Sequence, residues 1–91
     1  MSEASSLIYN KALDILSRRE HSAKELIFKL EKKFDSTEEI FLTVSKLKKN
    51  NLLNDFRYAE AYVVARKRKG FGPEKIKFEL LSKGIDESDI H

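Results

Sequence analysis

Apolar side chains recur at three- and four-residue spacing along almost the whole chain, the period of amphipathic helices. No segment of four to eight residues alternates cleanly enough to predict a strand. The first helix carries Ile8, Ala12, Ile15 and Leu16 on one face, with Ser5 or Ser6 as N-cap, and fades near Arg18-Arg19. The second opens on Ser22-Ala23-Lys24-Glu25, a capping box, and its stripe is Ala23, Leu26, Ile27, Leu30 and Phe34. A second capping box, Ser36-Thr37-Glu38-Glu39, starts the third helix, with stripe Ile40, Phe41, Val44 and Leu47. Asn50-Asn51 is its stop, because Asn tolerates the left-handed conformation at a helix end.

After the apolar link Leu52-Leu53, Asn54 or Asp55 caps a fourth helix that runs to Lys69. Its buried face is Phe56, Ala59, Tyr62 and Val63, with Arg66 continuing the line. Gly70 ends it. Gly72-Pro73 opens the fifth helix, with proline at the first helical position, where its missing N–H does no harm. Ile76 and Leu80 form that stripe, Gly84 ends it, and Asp86 starts another cap near the end of the chain.

The pattern repeats. Residues 17–40 lie on residues 67–90 without a gap at an offset of 50, so that Arg18 meets Arg68, Phe28 meets Phe78, Leu30 meets Leu80, Lys33 meets Lys83 and Ile40 meets Ile90. Stops, starts and apolar columns agree in order. The expected architecture is all-α, tandem three-helix repeats of helix-turn-helix type. A tail covers residues 1–5, the first repeat 6–51, and the second repeat 52–91, incomplete in its third helix.

Composition narrows the function classes. The chain has 91 residues, 41% hydrophobic and 36% charged, with three glycines, one proline and no cysteine. Disulfides and thiolate metal sites are excluded, and two histidines, His21 and His91, make a histidine zinc site unexpected. No apolar run approaches the roughly 20 residues that span a bilayer. Met1-Ser2-Glu3-Ala4 does not read as a secretory signal, so the expected setting is cytoplasmic. Ser22 and Ser36 are explained as caps, and Glu38-Glu39 and Asp86-Glu87 as first-turn acids suited to the helix dipole. No catalytic triad, metal cluster or acid/base pair stands out, so a non-enzymatic protein without cofactor is expected.

Charge is uneven. The chain totals +3, but residues 1–45 sum to −1 and residues 46–69 to +6. Arg66-Lys67-Arg68-Lys69 is a run of four cations that covers a full helical turn and attracts polyanions or an acidic protein face. Arg18-Arg19 is its repeat counterpart, and Lys75 and Lys77 extend the cluster. Gly70-Phe71-Gly72-Pro73 lacks the Lys-Ser/Thr of a nucleotide loop, so it reads as a tight corner with Phe71 packed in a slot. His21 reads as a turn residue near an N-cap. Tyr58 and Tyr62 read as core residues with hydroxyls at the edge, rather than as base-stacking platforms. Phe28 and Phe78 lie off the main stripes; each is either an inter-repeat contact, the favoured reading, or an exposed anchor.

Leu53-Asn54-Asp55-Phe56-Arg57-Tyr58-Ala59-Glu60-Ala61-Tyr62-Val63, followed by Arg68-Lys69-Gly70-Phe71-Gly72-Pro73-Glu74-Lys75-Ile76, Glu79-Leu80 and Lys83-Gly84-Ile85, resembles the signature of the RecX family of bacterial recombination regulators. Leu16-Ser17-Arg18-Arg19-Glu20-His21-Ser22 with Glu25-Leu26 and Lys29-Leu30 resembles the opening of the same family. The likeness spans about residues 10–86. It implies a regulator acting in DNA repair and the SOS response, built of tandem three-helix repeats, commonly three. Such proteins bind the RecA filament, lie along its groove near DNA, and usually inhibit it. On that reading Arg18, Arg19, Arg66, Lys67, Arg68, Lys69, Lys75 and Lys77 contact carboxylates of RecA or phosphates of its DNA. Asp55, Tyr62, Gly70, Phe71, Gly72 and Pro73 hold the helices that present them. No membrane and no small-molecule substrate are implied. Against that pattern the third repeat and the end of the second are expected to be missing here, and Phe28 and Phe78 stand where the family pattern is usually polar. Two other readings remain open: an autonomous nucleic-acid-binding domain with the fourth helix as recognition element, and a protein–protein adaptor without a nucleic-acid role.

Overall fold

A computed structural model describes residues 3–90. Five α-helices follow in order: α1 (Glu3–Arg18), α2 (Ala23–Glu31), α3 (Thr37–Lys49), α4 (Asp55–Arg68) and α5 (Pro73–Ser82). A short 3-10 turn, Glu87–Asp89, closes the described chain. No strand occurs among the described residues. The expected all-α repeat architecture is therefore present.

The local signals work as their chemistry dictates. Ser22 and Glu25 form a complete capping box at α2, with Glu25 N–H to Ser22 Oγ and Ser22 N–H to Glu25 Oε1 both at 3.1 Å. Asn51 takes φ +58° after α3, and Gly70 and Gly84 take φ +89° and +81° after α4 and α5. Asn54 caps α4 by accepting the Arg57 N–H at 2.9 Å. Asp86 accepts the Ser88 N–H in the same way ahead of the 3-10 turn.

Other expectations are corrected. The first helix starts at Glu3, so residues 3–5, expected in a tail, are helical. Ser5 does not open the helix; its hydroxyl donates to Glu39 on α3. Glu39 thereby serves a tertiary contact, and only the serine half of the second capping box forms, with Ser36 Oγ accepting the Glu39 N–H. On α3 the buried set is Ile40, Thr43, Val44 and Leu47, while Phe41 is half exposed. At about 100° per residue, Thr43, Val44 and Leu47 fall within some 60° of Ile40 around the helix, and Phe41 falls outside that arc. On α4 the buried face is turned toward Tyr58 and Ala59, which leaves Phe56 exposed. Leu53 is buried but Leu52 is exposed.

Two separate apolar clusters result. The first joins Ile8, Ala12 and Ile15 of α1 to Leu26 and Leu30 of α2 and to Ile40, Val44 and Leu47 of α3, with Leu53 at its edge. The second is smaller: Tyr58 and Ala59 of α4, Ile76 and Leu80 of α5, and Ile85, with Tyr62, Val63, Phe71 and Ile90 around them. The molecule is elongated, 45 × 23 × 20 Å. Polar bonds cross between the two clusters. Ala23 N–H donates to Asp55 Oδ1 (2.8 Å), Arg57 Nε to Glu20 Oε1 (2.8 Å), and Lys24 Nζ to the Ser82 carbonyl (3.1 Å).

Candidate functional site

The basic run at the end of α4 divides by what each side chain meets. Arg66 turns inward. Its Nε and Nη2 donate to Glu79 Oε1 and Oε2, both at 2.9 Å, and its guanidinium stacks 3.8 Å from the Phe71 ring. Tyr62 donates its hydroxyl to Glu79 Oε1 at 2.9 Å. Arg66 thus continues the buried line of α4, as its spacing predicts, and finds a carboxylate on α5, so it is not available as the outward contact also expected of it. Burial works against ionising Glu79, but the bonds from Arg66 and Tyr62 outweigh it and hold its pKa below the usual carboxylate value. Lys67, Arg68 and Lys69 are exposed. No ion pair involves them among the described residues.

Phe71 fills a slot between Arg66 and Lys75, whose ammonium lies 5.2 Å from its ring. Gly70 supplies the left-handed turn before it, and Gly72 and Pro73 start α5 after it. Lys77 is drawn away to Glu87 at 2.8 Å, and that bond raises its pKa. Phe28 and Phe78 are 60% and 73% exposed, so neither is buried in a repeat interface, although Phe28 borders a cleft shared with Ser82, Lys83 and Gly84 and lies under the Lys32 ammonium at 4.5 Å.

The two basic clusters meet at the junction of the repeats. A cleft of about 410 Å³ is lined by Arg19 and Glu25 from the first unit and by Tyr58, Tyr62, Arg66, Lys69 and Lys83 from the second, among others. Glu25, in its lining, pairs with Arg19 at 3.3 Å and Lys83 at 3.7 Å. Burial opposes the charge on Glu25, but hydrogen bonds from Arg19 and Ser22 prevail and lower its pKa. Tyr58 is buried against it, and burial raises the phenol's pKa. Arg68 lines a different depression, with Arg57 and Glu60 on another flank of α4. The structure thus brings Arg19, Arg66 and Lys69 together, leaves Lys75 beside Arg66 across the Phe71 ring, and places Arg68 and Lys77 elsewhere.

A second cleft, about 470 Å³, lies between α1 and α2. Arg18 and Arg19 border it, as do Lys11 from α1 and Lys29, Lys32 and Lys33 from the end of α2. His21 forms part of its floor and is almost wholly buried. One ring nitrogen of His21 contacts the Arg19 carbonyl (2.9 Å) and the other the Lys29 ammonium (2.7 Å). The carbonyl can only accept and the ammonium can only donate, so the ring is neutral with its proton on Nδ1. Burial first, and then the charges of Arg19 and Lys29, lower the pKa below the ordinary histidine value. The four lysines of this cleft escaped the sequence reading because residues 1–45 sum to a negative charge. Their signal was local: Lys29, Lys32 and Lys33 stand at i, i+3 and i+4, and Lys11 stands seven residues before Arg18.

Comparison with known proteins agrees with this construction. The sequence model of the first three-helix domain of RecX matches residues 9–47, and that of its second three-helix domain matches residues 54–91. The chain belongs to the RecX family. The regulatory protein RecX of Pseudomonas fluorescens is 39% identical over 79 residues, 87% of this chain and 51% of that protein. That of Pseudomonas syringae pv. tomato is 37% identical over 83 residues, 91% of this chain and 54% of that protein. The crystal structure of a regulatory protein RecX superposes with TM-score 0.89 at 30% identity, over 96% of this chain and 43% of that one. RecX from Lactobacillus salivarius superposes with TM-score 0.84 at 35% identity, over 98% of this chain and 58% of that one. The chain spans about half the length of the RecX relatives it matches.

Proposed function

We propose that this chain regulates the RecA–DNA filament by binding along it and inhibiting its ATPase and recombinase activity, as a cytoplasmic component of DNA repair without catalysis or cofactor of its own. Family membership supports the regulatory role. The observation that carries the contact surface is the junction cleft, where Arg19 of one repeat and Lys69 of the next line one depression. Cations from successive repeats on one groove suit a partner that is itself a polymer of acidic protein faces and phosphates. Arg18, Lys67, Arg68, Lys75 and Lys77 are further candidate contacts outside this cleft, for a partner long enough to touch more than one side of the chain. Arg66, tied to Glu79, positions α4 against α5 and so holds the neighbouring cations in place.

The test is RecA ATPase on single-stranded DNA, with and without the protein, and with the Lys67→Ala/Arg68→Ala/Lys69→Ala variant. Wild type lowers the steady-state rate. The variant keeps its helical circular dichroism and inhibits several-fold less. Full inhibition by a folded variant overturns the assignment of this surface, and a RecA rate indifferent to wild-type protein overturns the function.

A further inference from the structure

We infer that the cleft between α1 and α2 is a binding site for the phosphodiester backbone of a single nucleic-acid strand. This deepens the filament reading by placing a phosphate-holding site in the first repeat, away from the basic run of α4.

The cleft is built for anions. Six cations border it, Lys11, Arg18, Arg19, Lys29, Lys32 and Lys33, and one carboxylate, Asp14. Asp14 already sits between Lys11 (3.6 Å) and Arg18 (3.5 Å), and Arg19 faces Glu25. Lys29, Lys32 and Lys33 have no carboxylate partner among the described residues. At helical spacings of three and four they repel one another, and that repulsion is relieved when an anion enters. Helix-dipole compensation suits Lys29, Lys32 and Lys33 at the end of α2, but it does not account for Lys11 in the middle of α1.

His21 makes the site definite. Its neutral ring receives the Lys29 ammonium at 2.7 Å without cancelling the charge. A flexible lysine is thereby held against the wall of the cleft, and less freedom is lost when a phosphate arrives. Ile15 adds an apolar floor.

The internal repeat supplies a control within the molecule. At the offset of 50, Lys29 corresponds to Glu79, His21 to Phe71, Lys32 to Ser82 and Lys11 to Ala61. In the second repeat the equivalent place is filled from inside: the Glu79 carboxylate takes Arg66 and Tyr62, and Phe71 stacks on the same guanidinium. In the first repeat the place of that carboxylate is held by an ammonium. Lys29, Lys32 and Lys33 have no carboxylate of the described residues to answer them, and an anion from outside the chain supplies the counter-charge. A volume of about 470 Å³ admits a short run of one backbone. Arg19 borders both this cleft and the junction cleft, so the two are neighbours.

The test uses the 91-residue protein without recombinase, so that its outcome is independent of filament regulation. Fluorescence anisotropy of a labelled oligothymidylate is measured across a salt series. Wild type binds, and its affinity falls linearly on a logarithmic salt scale. Lys29→Gln/Lys32→Gln/Lys33→Gln, which keeps a donor for His21, loses about tenfold or more in affinity. Its salt slope flattens by about 2, since each phosphate contact to a single strand contributes about 0.7. Lys46→Gln/Lys48→Gln/Lys49→Gln removes the same charge from the end of α3 and leaves the slope unchanged. Helical circular dichroism confirms folding of both variants. No binding by wild type, or equal loss in the two variants, overturns the site. Either result leaves ATPase inhibition to be judged by its own assay.

Discussion

Asp55 Oδ1 accepts a hydrogen bond from the Ala23 backbone N–H at 2.8 Å, so the first residue of α4 helps to cap α2, 32 positions earlier in the chain. A helix start leaves four N–H groups without intrahelical partners. Ser22 and Glu25 provide the local capping bonds, and Asp55 takes the N–H of the first helical residue. Because the acceptor belongs to the other repeat, this cap also fixes how the two units meet.

Asp55→Ala is therefore expected to destabilise the protein by about 1 kcal/mol, the usual cost of a lost cap. In a domain of this size that corresponds to a fall in Tm of about 4–8 °C. Asp55→Asn keeps an acceptor oxygen and stays near wild type. Thermal melts followed at the helical circular dichroism minimum measure both.

Arg66 and Glu79 form a two-pronged pair that joins α4 to α5 beneath Phe71. Arg66→Ala is expected to lower Tm and to release Phe71 from its slot. Arg66→Lys restores only part of the loss, because an ammonium cannot match both carboxylate oxygens in the planar fork of a guanidinium. A Tm equal for lysine and arginine would show that charge alone matters there. The salt dependence of the melt distinguishes the two, since a screened point charge weakens with ionic strength more than a fitted pair.

Gly70 and Gly84 both adopt positive φ, but their surroundings differ. A Cβ at Gly70 meets nothing within 4 Å, so Gly70→Ala costs only the backbone strain, about 1–2 kcal/mol. A Cβ at Gly84 falls 2.8 Å from Lys24 Cβ, and α2 must move to admit it. Gly84→Ala is expected to be the more damaging of the two, and Gly70→Val worse than Gly70→Ala because a branched side chain tolerates positive φ less well. Urea denaturation of the three variants gives the ranking.

His21 makes stability depend on pH. Its folded-state pKa is below the ordinary value of 6.5, so between the two values the unfolded chain binds more protons. Stability from this group is complete above pH 6.5 and is lost as the pH falls through the folded-state value. The lowered carboxylates Glu25 and Glu79 act separately, their contributions holding above about pH 4.5 and failing below it. Tm is expected to decline from pH 7 to pH 5.5 in wild type and to decline less in His21→Phe. Phenylalanine is the natural replacement, since Phe71 occupies the corresponding place in the second repeat.

The sequence by itself determined the helices, their caps and their order. Ser22, Asn51, Asn54, Gly70, Pro73 and Gly84 act on neighbours within four or five positions, and a short-range rule reads them directly. The repeat was legible for the same reason, since punctuation and apolar period recur together. Tertiary structure decided which part of each helix face is buried, as Thr43 for Phe41 and Tyr58 for Phe56 show. It also decided the partners of charged and polar side chains: Glu79 for Arg66, Asp55 for the Ala23 amide, Glu39 for Ser5. These groups lie 13, 32 and 34 positions apart, and nothing local distinguishes a carboxylate that faces water from one that faces a distant donor. The cationic cleft between α1 and α2 belongs to the same class. Its charges are spread over 23 residues and diluted by intervening acids, so only the packing of two helices side by side concentrates them into one field.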